Sequence, residues 1–123
     1  MSTELQTFVK ENLQDVRLIT CMLPDDGVDR ELMRSLREEK GIEVANSTGC
    51  RGLFVTKSSS KISNGSPMKL VEIIVPEADV DDLFPFICEK ANIGRPDGGW
   101  VSLGETICAT PYALPTDLPN EKE

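Results

Sequence analysis

The chain contains no histidine. That absence removes histidine general bases, Ser-His-Asp triads and every metal site built on imidazole. Basic residues are also scarce, with 13 Lys and Arg against 21 Asp and Glu and a net charge of −8. Nucleic-acid binding rests on neutralising phosphates, so this balance argues against a nucleic-acid partner. No apolar run approaches the roughly 18 residues of a membrane span, which excludes direct membrane insertion. Residues 1–14 are polar and amphipathic, unlike a signal peptide. Cys21, Cys50, Cys88 and Cys108 lie far apart with no C-x-x-C spacing, which argues against a zinc site. The chain therefore reads as cytoplasmic, with reduced thiols and no metal. It also lacks a Walker loop, a paired-carboxylate motif and a nucleophile elbow, and reads as a non-enzyme.

What is present suits one soluble domain. The 123 residues are too few for two well-filled cores, and 39% hydrophobic with 28% charged content is ordinary for a globular protein. Leu5, Phe8, Val9 and Leu13 form a helical stripe over Ser2–Leu13, with Ser2 or Thr3 able to cap it. Val16–Leu23 is a compact apolar run that predicts a central strand. Pro24-Asp25-Asp26-Gly27 breaks it, and either aspartate can cap the following helix. Val28, Leu32 and Leu36 supply that helix with its apolar stripe, and Lys40-Gly41 ends it. Ile42–Cys50 reads as a weaker, more polar strand, and Leu70–Val75 is the strongest strand signal in the chain. A helix follows from Pro76, with Val80, Leu83, Phe84, Ile87, Cys88 and Ala91 on one side and Pro85 as an expected kink. After the turn from Gly94 to Gly99, Trp100–Ala109 makes a last strand.

The order is βαββαβ behind an extra N-terminal helix, which predicts an α+β fold, a ferredoxin-like sandwich. Residues 1–14 read as a helical extension and 15–123 as the domain with its C-terminal tail. Two helices cover one face of such a sheet. Leu70, Ile73 and Val75 cannot share a face with both Val71 and Ile74, so the third strand predicts two buried faces and an oligomer.

Some local features have simple structural readings. Cys50 beside Arg51 has no histidine to activate it and reads as a small, partly buried thiol. Asp79, Asp81 and Asp82 complement the dipole at a helix start. Trp100 and Phe86 read as core or interface residues.

Over Val16–Pro119 the chain resembles the nitrogen-regulatory PII superfamily, the PII signal-transduction proteins and their PII-like relatives. The resemblance rests on the element order, on Cys50-Arg51-Gly52 before a polar loop, and on the stretch from Ile73-Val75-Pro76 through Arg95-Pro96-Asp97-Gly98-Gly99. The tail from Ala109 to Pro119 is similar to a PII-like branch. The resemblance implies a homotrimer that binds a small anionic effector, an adenine nucleotide among the candidates, in clefts between subunits. It implies ligand-binding walls at Gly49, Cys50, Arg51 and Gly52 and at Arg95, Asp97, Gly98 and Gly99. Glycines admit close approach of backbone N–H groups to an anion, and arginine offers a planar fork.

The family's signalling arm corresponds to Thr56–Pro67, whose Thr56, Lys57, Ser58, Ser59, Ser60 and Lys61 would contact a target protein, a membrane transporter or a metabolic enzyme. Its polar composition cannot repay the entropy of ordering alone. The sole tyrosine, Tyr112, lies in the tail, so the family's uridylylated loop tyrosine has no counterpart. Trp100 stands where nucleotide-binding members carry a lysine, and Ile107-Cys108-Ala109 replaces a basic pair, which predicts no strong preference for a triphosphate. No cofactor is implied. The second reading is a small trimeric enzyme or metal-handling protein of CutA-like type.

Overall fold

The computed structural model describes residues 3–42, 44–52 and 66–110. Helix α1 (Thr3–Glu11) precedes strand β1 (Gln14–Pro24), helix α2 (Val28–Lys40), strands β2 (Ala45–Gly52) and β3 (Ser66–Pro76), helix α3 (Val80–Lys90) and strand β4 (Trp100–Ala109). The four strands form one antiparallel sheet in the order β2-β3-β1-β4. This is the ferredoxin-like arrangement that the βαββαβ order predicts, with α1 as an addition.

Several boundaries differ from the sequence reading. Strands β1 and β3 each run to 11 residues, because their pairing continues into residues that are not apolar. Strand β2 begins at Ala45 rather than Ile42, since Ile42 is still part of the close of α2: its N–H donates to the Leu36 carbonyl at 3.0 Å. A single 3-10 turn (Glu77–Asp79) separates Pro76 from α3. Pro85 lies inside α3 on its exposed side and cannot donate a hydrogen bond to the preceding turn.

Helix α2 starts at Gly27, whose φ of 93° suits glycine, rather than at an aspartate cap. Asp26 still helps: its Oδ1 accepts the Val28 N–H at 3.1 Å. Gly41, at φ 68°, closes the helix with its N–H bonded to the Arg37 carbonyl at 3.2 Å. Asp29 in the first turn is buried and accepts the Ser47 hydroxyl at 2.7 Å, which ties α2 to β2.

The core lies between the helix pair and one sheet face. Ile19, Cys21, Leu23, Val71, Ile73 and Val75 come from the sheet; Leu32, Leu36, Val80, Leu83, Ile87 and Ala91 come from α2, α3 and the residue after it. Register places Leu18 opposite Ile74 and Met22 opposite Leu70 on the other face, where all four are half-buried. The two-faced pattern of β3 is therefore real, but the division is Val71, Ile73 and Val75 inward against Leu70 and Ile74 outward. Trp100 pairs with Met22 and stays 46% exposed, so it is no part of this chain's core. Phe86 is half-buried, with the Lys40 and Lys90 ammonium groups 4.9 and 5.5 Å from its ring. Helix α1 contributes no buried residue. Among the described residues, no helix is long and apolar enough to cross a membrane.

Burial pushes the Cys21 thiol up to about 12, with the neighbouring Cys88 adding to the effect. The folded chain thus retains a proton that the unfolded chain releases near pH 9. Stability should be unaffected by this group below that pH and fall as pH rises above it. Thermal melts from pH 8 to 11 should show this fall, and Cys21→Val should make it shallower. A wild-type profile identical to the variant's would contradict the burial of Cys21.

Candidate functional site

The candidate residues lie on two structural units at the same end of the sheet. The first is the C-terminal half of β2, where Gly49, Cys50, Arg51 and Gly52 pair with Lys69, Met68, Pro67 and Ser66. Ser66 and Pro67 were expected in the loop, yet they belong to β3, because the β2–β3 ladder runs on to Gly52. Thr56, Lys57, Ser58, Ser59, Ser60 and Lys61 lie outside the described residues. A groove of about 310 Å³ runs along this unit, lined by Asp25, Gly49, Cys50, Arg51, Pro67 and Met68.

The second unit is the turn between α3 and β4. Gly98 is buried and donates its N–H to the Arg95 carbonyl at 3.1 Å. Gly99 has φ 90°, and a Cβ there would stand 1.9 Å from the Met22 carbonyl oxygen. No side chain fits in that space. Asp97, with φ 56°, is exposed, a conformation aspartate tolerates better than most residues. Close packing of Gly99 on β1, and of Gly98 against Asn92 and Arg95 within the turn, is thus a sufficient cause for the glycine pair.

Arg95 reaches from this turn to the start of α2. Its Nη1 lies 2.7 Å from Asp26 Oδ2, and that contact holds the Asp26 carboxyl below its ordinary value. Arg95 Nε and Nη2 are shielded and have no hydrogen-bond partner among the described residues. A second groove, of about 540 Å³, is lined by Arg95 and by Asp26, Gly27, Val28, Arg30 and Glu31.

Within one chain, therefore, Arg51 and Arg95 line different grooves, whose linings meet at the adjacent residues Asp25 and Asp26. Asp97, Gly98 and Gly99 line neither groove. The sequence reading missed Asp26 as the partner of Arg95, because Asp25-Asp26-Gly27 has the form of a helix start. It also missed the methionine neighbours of Cys50. The Cys50 thiol is half-buried, and its Sγ lies 3.6 Å from Met22 Sδ.

No protein-family model matches this sequence, and neither does any curated protein sequence. Solved structures do match the fold. CutA from Synechococcus elongatus aligns with a TM-score of 0.57 and 12% identity, over 76% of this chain and 80% of that one. The ATP complex of GlnK from B. subtilis aligns with a TM-score of 0.54 and 19% identity, over 76% of this chain and 82% of that one. The fold is thus the ferredoxin-like fold shared by PII-like proteins.

Two outcomes follow from this geometry. Gly99→Ala should cost at least about 1–3 kcal/mol in a denaturant titration, since the new methyl meets backbone and the residue must hold a positive φ. An unchanged midpoint would refute the close approach to β1. The Asp26–Arg95 pair should stabilise the fold above the usual carboxylate range, about pH 4, and lose that contribution as pH falls through the lowered value. Asp26 is 40% exposed, so the effect should stay within about 1 kcal/mol. Asp26→Asn should flatten this part of the acid unfolding profile; an unaltered profile would show that the pair contributes nothing.

Proposed function

We propose that the chain is a regulatory protein of PII type that binds a small anionic effector and conveys its presence to a target protein. The observation that carries this reading is the paired arrangement at one end of a PII-like sheet: the glycine turn with Arg95 on one side, and the end of β2 with Arg51 on the other. The fold it shares with the GlnK–ATP complex supports that placement. The domain would be residues 15–123, with 1–14 as a helical extension.

The sheet face opposite the helices supports a trimer. Leu18, Met22, Leu70 and Ile74 are only half-buried there, and Trp100 and Ile107 are 46% and 49% exposed. Covering them with other copies of the chain would remove apolar surface from water. In such an assembly Arg51 of one copy and Arg95 of another would face a common cleft, where Arg95 Nε and Nη2 could donate to an anion. Effector binding would change the order of residues 56–67, a population shift felt by the target. The protein would act without catalysis, in the cytoplasm, and the target would be a membrane transporter or a metabolic enzyme. The second reading, a CutA-like trimer that handles metal or performs a small-molecule reaction, is favoured by the likeness to CutA.

Light scattering should give the mass of a trimer. A melting-curve screen of adenine mono-, di- and triphosphates, bicarbonate and small dicarboxylates should find at least one stabilising anion. At 100 times its dissociation constant, such a ligand stabilises the fold by about 2.7 kcal/mol. Arg51→Ala and Arg95→Ala should each abolish the shift and leave the trimer intact. A monomer at micromolar concentration would remove the shared cleft, and an anion that stabilises wild type and both variants equally would misplace it.

A further inference from the structure

At the end of the sheet remote from Arg51 and Arg95 lies an apolar groove of about 250 Å³. It is lined chiefly by Val16, Ile42, Val44, Ile74, Pro76 and Ala109. Register explains its place: Val16 pairs with Pro76, whereas Arg51 pairs with Pro67 at the opposite end of β3. The two-residue alternation of the strands puts Val16, Ile74 and Pro76 on the face of Leu18, away from the helices. Val44 widens the floor beyond β3, its carbonyl accepting the Ile74 N–H at 3.1 Å. Val16 is 4% exposed yet stands apart from the cluster that α2 and α3 cover. No residue of α1 lines the groove.

We propose that this groove receives residues 111–115 of its own chain, Pro111-Tyr112-Ala113-Leu114-Pro115. The described residues end at Thr110, which itself lines the groove, so the segment starts at its mouth. The composition fits: Tyr112 and Leu114 suit an apolar lining, and charge returns only from Asp117 onward. The reach fits as well. Crossing from β4 over β1 and β3 to Val44 takes three strand spacings, about 14 Å. Five extended residues span about 16 Å. A segment that crosses strands cannot join their hydrogen-bonded ladder, so every backbone N–H it buries there would go unpaired. Pro111 and Pro115 bring none, and each holds the residue before it extended. Little conformational freedom is then lost on docking. Of the residues that the trimer would cover, Ile74 alone lines this groove, so both can occupy the face. The proposal does not rest on the effector reading.

Tyr112 is the only tyrosine, so its ring protons report on the segment without ambiguity. NMR of the full chain with labelled Ile, Leu and Val methyls should show cross-peaks from the Tyr112 ring to methyls of Val16, Val44 and Ile74. Leu114→Asp should remove those cross-peaks and lower the melting temperature. Leu118→Asp, beyond the span of the groove, should change neither. Absence of the wild-type cross-peaks, or their survival in Leu114→Asp, would overturn the proposal. Cross-peaks from the Phe8 ring in place of Tyr112 would give the groove to α1 and overturn it too. When methyl-labelled, otherwise deuterated chains are refolded together with unlabelled chains, the labelled methyls should receive nothing from Tyr112. Cross-peaks in that mixture would put another copy's segment in the groove and refute docking within the chain.

Discussion

Helices α2 and α3 each carry one apolar stripe, while the four-stranded sheet they pack on has two faces. This mismatch governs the molecule. The inward face takes the best-packed residues, among them Ile19, Leu23, Ile73 and Val75, all fully buried. The outward face keeps a second apolar population that α2 and α3 do not cover. Leu70 and Ile74 are placed there by the two-residue period of a strand, and no helix can move them. The assembly of copies proposed above would cover this face.

The other organising contact is the approach of Gly99 to the Met22 carbonyl. It sets the α3–β4 turn against β1 and thereby determines where Arg95 can reach. From that position Arg95 meets Asp26 at the start of α2, so one turn and one helix start act as a unit. The same stretch of β1 presents Met22 to Cys50 on its outward side.

Much of this was legible from residue order. The apolar runs at Val16–Leu23 and Leu70–Val75, the four-residue spacing of Val28, Leu32 and Leu36, and the glycines at 41 and 94–99 determine the elements. Local periodicity and turn stereochemistry depend only on near neighbours in the chain. The absence of histidine alone excluded whole classes of chemistry. The βαββαβ order then restricted the sheet topology, because short connections and right-handed crossovers leave few alternatives.

Tertiary structure decided the rest. Residue order could show that β3 has two apolar faces, but only pairing with β1 assigned Val71, Ile73 and Val75 to the core and left Leu70 and Ile74 outside. It could mark Arg51 and Arg95 as candidate anion donors, but their separation into two grooves depends on where β2 and the α3–β4 turn end. The Asp26–Arg95 pair spans 69 positions (95 − 26) and Cys50–Met22 spans 28 (50 − 22). Such contacts leave no local signal, since register between strands and the seating of a turn on its neighbour are properties of the packed chain.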